Sequence, residues 1–355
     1  MKAYLFLPFL LLTTSLVAQS IANLVQDGVD QSHFVGAIAA YQIAGEGPVM
    51  ATAGLSDMDA SLPYGTTTLN RIASITKTMT AVAVLQLWER DLIDLDVPIQ
   101  TYLPHYPKHE EGDISVRQLL QHTSGIDAYQ NRETENKDYY PSLADAARVF
   151  QDRPLLHAPG AQESYTSYGY VVLGLIIEAV SGQTYEEYMQ ANIWTPAGMQ
   201  HTGVEYANNR PEGLATFYYL NRRGKIKAST PNDLSNRLPG GGLYSTAADI
   251  LRFGQALMNG ELIQDSTFQL MQVHPGVPYE GTPYGMGVFL YGENPNWGNV
   301  IGHGGGQTGV TAHMFLMTDQ RTAVVVLCNT ALADRYIGPL AVEVMKLAHQ
   351  DILQE

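Results

Sequence analysis

Apolar residues fill Val35 to Ile43 and again Val49 to Leu55, with Gly45-Glu46-Gly47 between them. Runs of that length broken at glycine predict two strands of a hairpin. At Ser74 the period changes. Ile75, Met79, Val82 and Leu85 recur near every 3.6 residues, which predicts a helix from Ser74 to about Arg90. Asp94 to Pro107 contains proline and reads as loop with short turns. Helical signals then follow one another. Ser115-x-x-Gln118 and Thr184-x-x-Glu187 have the capping-box spacing, and Ser142 stands three residues before Asp145. Gly169 to Val180 is apolar almost all round, so it predicts a buried helix, ended by Gly182. Thr246 to Met258 carries Ile250, Phe253, Leu257 and Met258 on one stripe, with Gly260 just past its end. Strand patterns return at Tyr284 to Tyr291, His313 to Met317 and Thr322 to Cys328, and a helix over Leu340 to His349 closes the chain.

Strands at both ends with helices between them predict an α/β (α+β) architecture. Its antiparallel sheet is built from both chain ends and flanked by helices, with a mostly helical insertion over roughly 80–240. No internal repeat or low-complexity linker divides the chain, so residues 19–355 read as a single domain.

The first eighteen residues follow a different logic. Lys2 precedes an apolar run from Leu5 to Leu12, and Ala18 is a small residue suited to cleavage before Gln19. The run is short for a membrane span and reads as a secretory signal peptide over 1–18. Export to a periplasmic or extracellular space, with no stable membrane anchor after cleavage, is the expectation. Cys328 is the only cysteine, and its β-branched surroundings mark it as a buried strand residue rather than half of a disulfide. The formal charge of −15, with no dense basic run, excludes nucleic acid as a partner and favours a small-molecule or peptide substrate.

Three clusters could carry chemistry. In Ser74-Ile75-Thr76-Lys77, residues three apart share a helix face, so Ser Oγ and Lys Nζ can meet at the helix start. A lysine kept neutral by burial could take the serine proton. Tyr165-Thr166-Ser167 lies on the entry to the buried helix, and His303-Gly304-Gly305-Gly306 lies among the C-terminal strands, where glycine lets backbone approach a ligand closely. His105 and His109 are four apart but straddle Pro107, so no helical metal site is read there.

With these in order, the chain resembles the class C β-lactamase and DD-peptidase superfamily of serine hydrolases. The likeness is carried by Arg71 to Lys77, Leu119 to Ile126 (LLQHTSGI), Tyr165 to Gly174, Pro196 to Met199, Gly241 to Thr246 and His303-x-Gly305. It implies a β-lactamase/transpeptidase-like fold and an acyl-enzyme on Ser74, with Lys77 and Tyr165 sharing acid–base work. The oxyanion would be held by the N–H groups of Ser74 and Gly306. Gly305 and Ser167 would border the substrate, and His303 would orient Tyr165 or the substrate's polar end. No metal or organic cofactor is implied.

One position departs: the usual Tyr-x-Asn is Tyr165-Thr166-Ser167, which puts the amide contact of a β-lactam substrate in question. Many relatives also carry lysine where His303 stands. An ordinary histidine, with a pKa of about 6.5, is mostly neutral at pH 7 to 8, so no fixed positive charge is expected there. The expected function is hydrolysis of an ester or amide, as in an esterase, a D-amino-acid peptidase or a DD-carboxypeptidase. A true β-lactamase and a weakly catalytic binding or regulatory module on the same fold are the alternatives. His303-Gly-Gly-Gly also matches the oxyanion strip of α/β-hydrolases, but the Gly-x-Ser-x-Gly pentapeptide of that fold is absent. His122 reads as a structural hydrogen-bonding residue.

Overall fold

A computed structural model describes residues 8–206 and 208–353. The two ends of the chain meet in one sheet. Strand Gly36–Ile43 pairs antiparallel with Thr322–Cys328, setting Ala37 opposite Cys328 and Ile43 opposite Thr322. Val49–Asp57 and then Leu62–Pro63 extend the sheet on one side. Val310–Met317, Gly298–Gln307 and Phe289–Asn294 extend it on the other, giving seven strands, all antiparallel.

Both faces of the central strands are covered, and the period-two alternation assigns each residue to a side. Ala37, Ala39, Tyr41, Val324, Val326 and Cys328 pack with the first and last helices, Pro8–Asp30 and Asp334–Ile352. Ile38, Ala40, Val325, Leu327 and Ile301 point the other way, into a larger core shared with helices Ile75–Glu89, Tyr168–Ser181 and Ala247–Met258. Cys328 is fully buried, and desolvation pushes its thiol up to about 12.

The helix starts follow their sequence signals. Ser115 and Thr184 form complete capping boxes at Val116–Leu120 and Tyr185–Met189, and Ser142 and Thr246 cap Leu143–Ala147 and Ala247–Met258. Gly182 ends Tyr168–Ser181 in the left-handed conformation, φ 71°.

Some boundaries differ from expectation. The strand expected from Tyr284 begins only at Phe289, because Gly287 turns the backbone at φ 84° with its Cα against Lys77 and Ala81 of the neighbouring helix. The last helix starts at Asp334 rather than Leu340 and passes through Pro339. The helix opened by Thr184 becomes a π turn at Gln190–Trp194. Helix Asp265–Met271 was not legible in the periodicity.

Residues 1–7 of the expected leader lie outside the described residues. From Pro8 the backbone belongs to helix Pro8–Asp30, which runs through Ala18. Ile21 and Val25, on the far side of the expected cleavage point, are fully buried against the sheet. Among the described residues no helix is long and apolar enough to cross a membrane.

Candidate active site

Asn70–Arg71 is a two-residue strand, paired with Leu243–Ser245, that delivers the chain to Ser74. Arg71 anchors it. Its buried guanidinium makes a bidentate pair with Glu205 at 2.7 Å and donates to Asn232 Oδ1 at 2.7 Å and to the Thr308 carbonyl at 2.9 Å. The nucleophile segment is thereby tied to the end of the Gly298–Gln307 strand. Gly305 of that strand has no room for a side chain: a Cβ would stand 2.6 Å from the Ile72 carbonyl oxygen and 3.4 Å from the Ser74 nitrogen. Between them Ala73 is held at φ 45°, a left-handed conformation that costs a non-glycine residue about 1–2 kcal/mol.

Ser74 and Ser167 are both N-cap residues, of Ile75–Glu89 and Tyr168–Ser181, and neither caps its helix. A serine in that place ordinarily accepts a backbone N–H. Here both hydroxyls meet Lys77 instead: Nζ lies 3.1 Å from Ser74 Oγ, 2.9 Å from Ser167 Oγ and 2.7 Å from the Gly240 carbonyl oxygen. The set fits a neutral amine, whose two N–H groups serve Gly240 and Ser167 while its lone pair faces the Ser74 hydroxyl. Lys77 is fully buried, with no carboxylate partner among the described residues. Desolvation, then the charge of Arg237, holds its pKa well below the usual lysine value. Ser167, standing where asparagine is usual in the tyrosine loop, thus bonds Lys77.

The carbonyl that receives Lys77 is fixed on both sides. Pro239, Gly240 and Gly241 offer three consecutive carbonyls, accepting from Thr80, Lys77 and Gln307. A Cβ on Gly240 would stand 2.8 Å from the Ser167 carbonyl oxygen, so glycine allows this turn to touch the tyrosine loop.

Tyr165 is hydrogen-bonded to Ser74, and its ring lies 4.8 Å from Lys77 Nζ. Its ring opens on the cleft with 38% exposure, yet the surrounding protein still raises the phenol pKa, and the bond to Ser74 only partly offsets this. His122 holds the loop in register from both sides of Tyr165. Its carbonyl accepts the Ser164 N–H at 2.7 Å, its Nδ1 accepts the Thr166 N–H at 3.2 Å, and its ring lies 4.2 Å from that of Tyr165. The structural role expected for His122 is the one observed.

His303 sits elsewhere than expected. It is fully buried on the core face of its strand. Nδ1–H donates to the Gly304 carbonyl at 2.6 Å, so Nε2 accepts from the Tyr284 hydroxyl at 3.0 Å. Burial lowers its pKa to about 3, so the imidazole is neutral near neutral pH. Its ring centre is 6.1 Å from that of Tyr165, and no hydrogen bond joins the two. It supports the wall of the site through Tyr284. In contrast, Gly304, Gly305 and Gly306 line the cleft, and a Cβ on Gly306 would meet nothing within 4 Å.

The cleft has a volume of about 900 Å³ and is bordered by Ser74, Tyr165, Ser167, Arg237, Gly306 and Leu332. Sequence reasoning missed Gly240, Tyr284 and Arg237. Only the glycine run beside Gly240 signalled anything, since its carbonyl role is a backbone property.

Between the folded pKa of Lys77 and the ordinary value near 10.4, the unfolded chain binds a proton that the folded chain does not, so stability falls as pH falls through that window. Lys77→Met removes this linkage. Thermal unfolding at several pH values should show the stability of the variant, relative to the natural protein, rising steadily from pH 10 to pH 7. A constant difference would mean that Lys77 is charged in the folded state.

The Beta-lactamase family matches residues 21–343. The putative penicillin-binding protein PbpX of Bacillus subtilis (strain 168) is 32% identical over 219 residues, covering 62% of this chain and 53% of that protein. The chain spans about half the length of the first curated relatives it matches. Among solved structures, a penicillin-binding protein from Bacillus halodurans is 26% identical with a TM-score of 0.77, covering 92% of this chain and 98% of that one. The D-amino acid amidase from Ochrobactrum anthropi SV3, complexed with L-phenylalanine amide, is 25% identical with a TM-score of 0.78, covering 95% and 97%. These likenesses extend over the sheet, the helical region and the Ser74 cleft alike, and the chain belongs to the beta-lactamase family.

Proposed function

We propose that this chain is an exported serine hydrolase that cleaves an ester or amide through an acyl-enzyme on Ser74. The observation that carries the reading is the buried, carboxylate-free Lys77 amine at 3.1 Å from Ser74 Oγ. Lys77 takes the Ser74 proton as Oγ attacks the substrate carbonyl carbon. Charge develops on the carbonyl oxygen, where the N–H groups of Ser74 and Gly306 receive it. The Ser74 N–H has no acceptor of its own among the described residues. Tyr165, kept protonated by its raised pKa, donates to the leaving group as the C–O or C–N bond breaks, and is reprotonated from Lys77. Water then attacks the acyl-enzyme, giving its proton through the same pair and returning one to Ser74 Oγ. In this order Lys77 rather than Tyr165 is the first base. Nothing in the site favours a binding module over an enzyme, since Ser167 still bonds Lys77.

The substrate is an ester or an amide. The likeness to a D-amino acid amidase supports including D-amino-acid amides beside simple esters and β-lactams when activity is assayed.

A fluorophosphonate probe should add one adduct, on Ser74, by intact-mass analysis, and Ser74→Ala should lose both labelling and turnover. Lys77→Ala and Tyr165→Phe should each lower turnover about 100-fold or more, as for other acid–base groups, with the double variant far from additive. Labelling that survives in Ser74→Ala places the nucleophile elsewhere. For export, the leader-like start supports cleavage after Ala18. N-terminal sequencing of protein recovered from outside the cytoplasm should read Gln19 first, and retention with residues 1–18 intact would contradict it.

A further inference from the structure

Among the described residues Arg237 is the one buried cation at this cleft that the mechanism above does not use. It is 3% exposed and lines the cleft together with Ser74 and Ser167. Of its five N–H donors, Nε–H goes to Asn236 Oδ1 at 2.8 Å, and Nη2 serves the carbonyls of Glu133 and Thr134 at 2.7 and 3.0 Å. The two donors on Nη1 have no partner among the described residues. The guanidinium lies 4.5 Å from the centre of the Tyr129 ring. Among the described residues no carboxylate pairs with it: Glu133 is taken by Arg153 and Tyr168, and Glu135 by Arg132.

Holding the Glu133–Thr134 turn explains two of the five donors, and Asn236 takes a third. It does not explain a largely buried cation that meets only neutral acceptors and turns Nη1 to the cleft, an arrangement that costs free energy unless a counter-charge arrives. His303 cannot supply the positive charge of the site, because it is neutral and faces the core. The chain as a whole carries −15, so an anion is repelled everywhere except where a local cation overcomes the field. Exposed Lys137, on the same cleft and with no partner among the described residues, adds to that local field. Asp334, also on the cleft, is engaged by His313 at 2.8 Å.

We propose that Arg237 is the specificity residue of this cleft and pairs, through Nη1, with a carboxylate carried by the substrate. Arg237 immediately precedes the Leu238–Gly241 turn whose Gly240 carbonyl holds Lys77, and it lines the same cleft as Ser74. The proposal rests on the serine hydrolase reading for its substrate. It leaves standing the expectation that the His303 position carries no fixed positive charge, and places the charge on Arg237.

The test uses mono-p-nitrophenyl esters of succinate, glutarate and adipate, each beside its methyl-capped diester, so that the spacer finds the distance between charge and carbonyl. A charge-assisted hydrogen bond corresponds to roughly 10–100-fold in binding. In Arg237→Gln the anionic-to-capped ratio of kcat/KM should fall by about that factor for the best spacer, whatever loss the two substrates share. Arg237→Lys should retain part of the ratio. The same compounds are titrated calorimetrically into Ser74→Ala with and without Arg237→Gln, where the preference for the anion should be present and then lost. An unchanged ratio in Arg237→Gln for every spacer, or equal binding of anion and diester to Ser74→Ala, overturns the proposal and leaves Arg237 a clamp on the Glu133 turn. Failure of the hydrolase reading shows separately, as absent fluorophosphonate labelling, and the binding measurement still decides the role of Arg237.

Discussion

Lys77 is a fully buried amine whose hydrogen-bond partners are two hydroxyls and a carbonyl, and the surrounding structure is arranged to keep it so. Its helix starts at Ser74, one partner. The next buried helix starts at Ser167, the second. The turn that carries the third partner, Gly240, is held on either side by Thr80 and Gln307. An ammonium ion in this place would be desolvated with hydrogen-bond acceptors but no counter-charge, which favours a neutral base beside the nucleophile. The neutral state follows from the absence of an acid as much as from burial.

The arrangement is locally expensive. Ala73 holds a left-handed conformation, two N-cap serines leave their helices uncapped, and Gly305 and Gly240 must remain without side chains for the segments to approach. Each feature breaks a local rule that the rest of the chain obeys, as Ser115, Ser142, Thr184 and Thr246 show by capping their helices in the ordinary way. Such violations concentrate where function demands them. They are offset by the sheet, whose two buried faces join both ends of the chain, and by Arg71, whose pairing with Glu205 and Asn232 is satisfied donor by donor.

The sheet strands near the chain ends were legible because their alternation is strong and both faces are buried, and the helix starts because their caps have fixed spacing. Ser74, Lys77 and Ser167 were legible for the same reason: they stand at helix starts. Phe289, rather than Tyr284, begins its strand because a glycine packs on a helix distant in sequence, which no local pattern reveals. His303 shares a strand face with Gly305, toward the Ser74 segment, but its imidazole is fully buried and bonded to the Tyr284 hydroxyl, a partner the glycine run does not reveal. Gly240 and Arg237 act through a carbonyl and through the absence of a counter-ion. Neither property is written in residue identity.

The charge on Lys77 can be observed directly. In protein carrying 13C at lysine Cε, with the Lys77 resonance assigned through Lys77→Arg, the Cε shift is followed against pH. The account predicts a titration well below the ordinary lysine value of about 10.4, with the amine already neutral at pH 8. A Lys77 that remains an ammonium up to pH 10 would contradict the account at its centre.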